Sequence, residues 1–280
     1  MTPEVIADAS CAAGTCPAWH AAENALWWLD PARGSLLRWD AAAKKHAVVL
    51  GDRPAAALTV QSDGSLLVFL ETGETARFRG NGLEVLPGET AAPRVTAAAV
   101  DTKGRVLCGV VRGRAGSLFL LERDGRRRPL VDTAGRIAGL AFTPDGDGLY
   151  VADPASRRID LYDYDARACS LSRPRLFVEL AGSLGSPRGI AVDAKGFAWV
   201  AAWGGSAVAR YSPAGKEDQR VYFTARTVSG AAFGGEDMKD LFVASGGGDD
   251  RAANGPTAGA VFRVRVGIRG IAPRLSAVRL

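Results

Sequence analysis

A short stretch of small and apolar residues recurs six times along the chain. A polar turn containing glycine follows most copies, and a second, more hydrophobic stretch comes after it. The six first stretches are Cys16–Trp19, Ala57–Val60, Ala97–Val100, Gly139–Phe142, Gly189–Val192 and Gly230–Phe233. They begin 40 to 50 residues apart. A period of this size predicts a fold built from repeated supersecondary units.

Each unit contains four stretches with strand character. The second stretches are Leu26–Leu29, Leu66–Phe69, Val106–Gly109, Leu149–Ala152, Ala198–Ala201 and Leu241–Ala244. Two alternating stretches then complete a unit, such as Ser35–Trp39 and His46–Leu50 in the first. Four short strands joined by tight turns are typical of a β-propeller blade, and helical periodicity is almost absent. We therefore predict an all-β, six-bladed propeller with four antiparallel strands per blade.

The six units account for nearly all of residues 1–280, so we predict a single domain. The innermost strand of each blade is expected to be the small-residue stretch, because six such strands crowd around one axis. Ring closure is expected to pair the strand near Val5 with strands near Phe262 and Leu275. Asp101 and Asp193 belong to the repeated polar turns and are expected to be structural.

Composition and charge narrow the function classes. The chain is 47% apolar and 23% charged, as in ordinary globular proteins, and no apolar run is long enough to span a membrane. The first twelve residues carry Glu4 and Asp8 and no basic segment, so a cytoplasmic protein is expected. The net charge is +5, but the one dense basic run, Arg123–Arg128, has the pattern of a solvated turn. We expect neither a nucleic-acid nor a membrane partner.

The four cysteines show no paired spacing and only two histidines exist, so a zinc site or a disulfide framework is not supported.

Alignment of the repeats predicts where a site lies. The residue before each inner strand should line one mouth of the central channel, and the ends of the second strands return to that mouth. The ring of preceding residues is Thr15, Ala56, Thr96, Ala138, Arg188 and Ser229. Glu71, Asp153 and Trp203 end second strands. These positions are the candidate site.

At this point the sequence resembles the senescence-marker-protein, regucalcin, gluconolactonase and luciferin-regenerating-enzyme family over essentially its whole length. The most specific stretches are Gly139–Asp153, Gly189–Gly205 and Ala232–Ser245. The resemblance implies a six-bladed propeller, in agreement with the count of repeats. It also implies hydrolysis of sugar lactones or related esters with a divalent metal at the channel mouth.

The family's metal ligands are a Glu, two Asn and an Asp from four short motifs. In this chain those motifs read Gly14-Thr15-Cys16-Pro17, Arg94-Val95-Thr96-Ala97, Ile137-Ala138-Gly139-Leu140 and Pro187-Arg188-Gly189-Ile190. Every ligand position is replaced, and a hard cation needs several oxygen ligands. A guanidinium at ~4 Å would also repel the cation by several kcal/mol. We expect no metal and no other cofactor.

Arg188 is the most informative replacement. With Arg94, which the resemblance implies contacts substrate, it would favour a carboxylate, a phosphate or a polarised carbonyl. Thr15, Thr96, Glu71, Trp203 and Ser229 complete the predicted ligand-binding set. The alternative is that Arg188 forms a buried salt bridge with Asp153 or Glu71 that plugs the channel.

Two further residues have possible catalytic roles beside Arg188. Cys16 is a candidate nucleophile if nearby arginines lower its pKa, although a small buried residue is the ordinary interpretation. His20 should lie roughly 13 Å further along the strand, so no Cys/His dyad is expected. Asp153 is a candidate general base, the alternative being a turn or salt-bridge role.

Two functions stay open. One is a metal-independent lactone or ester hydrolase, or a new chemistry, in which Arg188 and Arg94 polarise the carbonyl. The other is an inactive propeller that binds a small molecule or a partner at its mouth. In both, the small-molecule ligand is expected to be anionic or to contain a carbonyl group.

Overall fold

The computed structural model describes residues 1–86, 93–112, 115–133 and 135–279, and within these the chain forms 24 strands in six sheets of four. Blade 1 comprises β2 (Thr15–His20), β3 (Ala25–Asp30), β4 (Ser35–Asp40) and β5 (Lys45–Leu50). Blade 2 comprises β6 (Ala55–Val60), β7 (Leu66–Leu70), β8 (Thr75–Arg79) and β9 (Gly82–Val85). Blade 3 comprises β10 (Val95–Val100), β11 (Val106–Arg112), β12 (Ala115–Leu121) and β13 (Arg127–Thr133).

The second half of the ring repeats this order. Blade 4 comprises β14 (Gly139–Phe142), β15 (Gly148–Asp153), β16 (Arg158–Asp165) and β17 (Ser170–Glu179). Blade 5 comprises β18 (Ser186–Val192), β19 (Ala198–Trp203), β20 (Ala207–Tyr211) and β21 (Glu217–Tyr222). Blade 6 comprises β22 (Val228–Gly234), β23 (Asp240–Ser245), β24 (Val261–Arg265) and, as its outermost strand, β1 (Glu4–Ala7).

Helical structure among the described residues is limited to short segments. These are the 3-10 turns Ala21–Glu23, Pro31–Arg33 and Gly182–Leu184 and the helix α1 (Arg251–Asn254). None of the helices in this part of the chain is long and apolar enough to cross a membrane.

The predicted six-bladed propeller is confirmed, and the small-residue stretches are its innermost strands. Glycine is needed where these strands approach each other most closely. A Cβ on Gly189 would lie 2.7 Å from the Cα of Gly230, and one on Gly139 would lie 2.0 Å from the carbonyl oxygen of Arg188. Larger side chains at these positions would force the blades apart.

Ring closure is partly as predicted. Val5 in β1 pairs with Phe262 in β24, so the two ends of the chain share blade 6. The expectation that Leu275 lies in a closing strand is wrong. Blade 6 already has four strands, and residues 266–279 instead cross the far end of the channel. There the main chain of Ser276 bonds to blade 2 and that of Ala277 to blade 3.

The turn aspartates are structural, as predicted. Asp101 accepts hydrogen bonds from the main-chain N–H groups of Lys103 and Arg105 and from the Arg105 Nε, at 2.8–2.9 Å. Asp193 is placed in the same way in blade 5 and accepts from the Nε of Arg210 at 2.8 Å. All four charged side chains of these two pairs are nearly inaccessible to solvent. Buried charges at this end of the channel are therefore paired.

Candidate functional site

A pocket of about 250 Å³ opens at the mouth where the inner strands begin. It is lined by Ala13, Thr15, Pro31, Ala56, Arg94, Thr96, Val111, Arg136, Ile137, Ala138, Pro154, Arg188, Trp203 and Ser229. The structure thus brings together all six positions of the ring derived from the repeats. We call this cavity the mouth pocket.

Arg188 lies in β18, and its guanidinium carbon is 5.1 Å from the centre of the Trp203 ring. Its Nε is buried and has no hydrogen-bond partner among the described residues. Within the described part of the chain no carboxylate, including Asp153 and Glu71, lies at ion-pair distance from it. The structure therefore does not contain the buried plug salt bridge that was the alternative interpretation of Arg188.

A second guanidinium in the pocket, that of Arg136, was missed by sequence reasoning. Burial lowers the pKa of Arg188 first, and the positive charge of Arg136 lowers it further. Arg136 stands two residues before Ala138, just as Arg94 stands two residues before Thr96. Extending the repeat alignment by two positions would have identified it. The two cations Arg136 and Arg188 face one cavity without a carboxylate between them.

Arg94 differs from these two because it has a counter-ion. Its Nε is paired with the carboxylate of Glu71, and the Arg94 side chain remains about half exposed. Glu71 itself does not line the mouth pocket. Because Glu71 offsets the charge of Arg94, the predicted pair Arg94 and Arg188 presents less net positive charge than the pair Arg136 and Arg188.

The hydroxyl groups around the pocket differ in whether their protons are free to be donated to a ligand. The Thr96 hydroxyl donates to the main-chain carbonyl of Ile137 at 2.7 Å, and the Ser229 hydroxyl donates to that of Gly14. These two side chains therefore offer a ligand lone pairs rather than protons. Thr15 makes no side-chain hydrogen bond to the described residues, so its hydroxyl can donate.

Asp153 is placed at the rim and its oxygens are engaged. One carboxylate oxygen accepts from the N–H of Ala155 at 2.9 Å and the other from the Ser156 hydroxyl at 2.6 Å. Its neighbour Pro154 lines the pocket, whereas Asp153 does not. This geometry matches the turn role and gives no support to a general base.

Cys16 lies outside the mouth pocket, and its Sγ accepts from the N–H of Leu58 in the neighbouring inner strand at 3.4 Å. Burial raises the pKa of its thiol to about 11, so the thiol is protonated at neutral pH. The lowered pKa that a nucleophile needs is not supported by this environment. The His20 Nε2 lies 3.1 Å from the carbonyl oxygen of Gly64 at the end of the strand, and no Cys/His dyad forms.

The mouth pocket does not fit a divalent cation. The four positions at which the resemblance places metal ligands carry two hydroxyls, a methyl group and a guanidinium. These belong to Thr15, Thr96, Ala138 and Arg188. In the part of the chain that the structure describes, no group of three or more His, Cys, Asp or Glu side chains could hold a metal ion. A hard cation needs carboxylate charge and six to eight oxygen ligands, which this donor set lacks.

The fold is a six-bladed propeller with a pocket at one mouth of its channel. Residues 13–247 match the model of the SMP-30/gluconolactonase/LRE-like region, and the chain belongs to this family. Pentonolactonase XacC of Haloferax volcanii is 34% identical over 293 residues, with full coverage of both chains. The 6-deoxy-6-sulfogluconolactonase of Pseudomonas putida is 29% identical and covers 94% of each chain.

Among solved structures, the calcium-binding protein regucalcin of Agrobacterium tumefaciens superposes with a TM-score of 0.87. It covers 100% of this chain and 98% of its own, at 24% sequence identity. This likeness shows that the whole propeller, including residues 266–279 outside the matched region, has a counterpart in a known structure of the same fold.

Proposed function

We propose that the mouth pocket binds a small lactone or ester, or the acid formed from it, and that two guanidiniums take the place of a metal at the carbonyl. The observation that carries this proposal is the pair Arg188 and Arg136, two cations in one cavity without a counter-ion among the described residues. A guanidinium binds a carboxylate through charge-assisted hydrogen bonds in a fixed fork. The pocket therefore favours a ligand that carries or develops negative charge.

The relatives support the substrate class. One relative is named for a pentonolactone. Another is named for a gluconolactone that carries a sulfo group and is therefore itself anionic. A lactone carbonyl gains negative charge on oxygen when water attacks it, and positive groups already in place stabilise that charge. Arg188 and Arg136 would provide this stabilisation, and the lone pairs of Thr96 and Ser229 would accept hydrogen bonds from sugar hydroxyls.

The balanced reaction is simple. Water adds to the carbonyl carbon, the ring C–O bond breaks, and the products are a carboxylate, an alcohol and one released proton. Among the described residues, three carboxylates at the ends of second strands are engaged: Asp30 with the N–H groups of Ala12 and Ala13, Asp153 in its turn and Glu71 with Arg94. The proton of the attacking water therefore passes to solvent rather than to a dedicated base.

That lack of a free base favours a second candidate, an inactive propeller that binds the acid without turnover.

The test is a panel of sugar lactones followed with a pH indicator in excess chelator, using the wild type and Arg188→Met. Chelator-resistant acid release that the substitution abolishes supports the hydrolase. Ligand-induced stabilisation without acid release supports the binder. Activity that disappears with chelator and returns with a divalent metal contradicts both.

A direct metal titration complements the panel. A metal present at 100 times its Kd would add about 2.7 kcal/mol to the free energy of unfolding. We expect no upward shift of the melting temperature of chelator-treated protein with Ca²⁺, Mn²⁺, Zn²⁺ or Fe²⁺. A clear shift would restore a metal site at the mouth.

A further inference from the structure

A second cavity, of about 240 Å³, occupies the half of the channel away from the mouth. Each inner strand contributes three or four consecutive residues to it, and residues Ile271–Arg274 of the C-terminal crossing segment complete the lining. Its larger apolar residues include Trp19, Leu58, Leu140, Phe142, Ile190 and Phe233. This far cavity is therefore mainly apolar, in contrast to the mouth pocket.

Arg274 is the one charged side chain in its lining. Its guanidinium carbon lies 5.4 Å from the centre of the Phe142 ring, and its Nη2 donates to the carbonyls of Thr143 and Pro144 at 3.0–3.1 Å. The Nε and Nη1 groups make no hydrogen bond to a described residue. Arg274 also makes no ion pair within this part of the chain, so its charge at the wall of the apolar space has no counter-ion in direct contact there.

No other polar group of the described residues makes an ion pair with Arg274. Asp101 and Asp145 are the carboxylates whose field reaches Arg274: Asp101 is paired with Arg105, and Asp145 keeps its charge while it accepts from Thr143 and the N–H of Asp147, without contacting Arg274 directly. The Thr59 hydroxyl is bonded to that of Ser276, 2.9 Å away. The Cys16 thiol is neutral, for the reason given above.

We propose that the far cavity binds a monocarboxylate with a compact apolar body, its ring or chain in the channel and its carboxylate on Arg274. An apolar cavity of about 150 Å³ is large enough for benzene, so 240 Å³ accommodates a benzoate-sized ligand. Burial of the ring supplies the hydrophobic contribution and the guanidinium supplies the orientation. This site is separate from the mouth pocket and does not depend on the function proposed there.

The test is isothermal titration with benzoate, and with benzyl alcohol as its uncharged counterpart. Arg274→Met removes the charge, and Ala232→Leu fills part of the cavity without touching Arg274. The matched control is Arg269→Met, an exposed arginine on the same crossing segment, and Arg188→Met reports any benzoate that binds at the mouth pocket instead. Thermal melts establish that each variant is folded.

We expect benzoate to bind the far cavity at least tenfold more weakly in Arg274→Met and in Ala232→Leu, and within twofold of wild type in Arg269→Met. Benzyl alcohol should bind wild type and Arg274→Met equally. Loss of benzoate binding in Arg188→Met but not in Arg274→Met would place the ligand at the mouth and overturn the proposal. Absence of benzoate binding to the wild type would overturn it too.

Discussion

The arginines at the two ends of the channel have different partners. At the far end, Arg105 and Arg210 are 6% and 4% exposed, and each lies against a buried aspartate, Asp101 or Asp193. At the mouth, Arg188 has its Nε buried without a partner and rests on Trp203. A charge removed from water without a counter-ion is costly. The far-end pairs therefore hold turns in place, whereas under the proposed function an anionic ligand would supply the negative charge that the described residues do not give Arg188 at the mouth.

The largest effect is expected from breaking a far-end pair. Asp193→Asn removes the fully buried carboxylate that pairs with Arg210 and leaves it only the part-exposed Asp218, and the loss of one partner of a buried pair costs about 3–5 kcal/mol. Urea unfolding at neutral pH measures the change in the free energy of unfolding. A loss below about 1 kcal/mol would show that the far-end arginines do not depend on their aspartates.

Arg188→Met should change stability far less. Loss of the contact with Trp203 costs about 0.5–1 kcal/mol, and removal of a poorly solvated charge offsets that loss. We expect the free energy of unfolding to stay within about 1 kcal/mol of wild type in the same urea experiment. Destabilisation equal to that of Asp193→Asn would mean that Arg188 is a structural residue after all.

The smallest effect is expected at Glu71, the counter-ion of Arg94. Glu71→Gln frees the guanidinium of Arg94, and an exposed pair contributes about 0.2–1 kcal/mol. Affinity of the mouth pocket for an anion should therefore rise by up to about fivefold, measured by calorimetric titration. Thr72→Ala is the matched control on the same turn. Weaker anion binding in Glu71→Gln would show that the Arg94–Glu71 pair itself contacts the ligand.

The sequence predicts the fold and the ring around the mouth because both follow from the repeat. Six inner strands with small residues require one axis, and the residue before each strand, such as Thr15 or Ser229, must then face the same opening. The route of residues 266–279 was not predictable, because it depends on free main-chain groups of four blades that no local pattern reveals. Leu275 was consequently assigned to a strand.

The chemistry of individual site residues was harder to predict than their positions. Cys16 is adjacent in sequence to Thr15, yet alternate strand residues face opposite directions and β2 is irregular between Thr15 and Ala18. Its thiol packs against the main chain of Leu58 in the next blade, and burial raises its pKa. Asp153 sits at the right strand end, but its Asx turn with Ala155 and Ser156 uses both oxygens. Such hydrogen bonds depend on local geometry that the repeat does not specify.

The central claim is that Arg188 and Arg136 bind an anionic sugar acid or lactone without a metal. Calorimetric titration with D-gluconate, and with sorbitol as the analogue that lacks the carboxylate, in excess chelator tests it most directly. We expect gluconate but not sorbitol to bind the wild type, and at least tenfold weaker gluconate binding to both Arg188→Met and Arg136→Met. Equal affinity of wild type and Arg188→Met, or binding only after addition of a divalent metal, would contradict the claim.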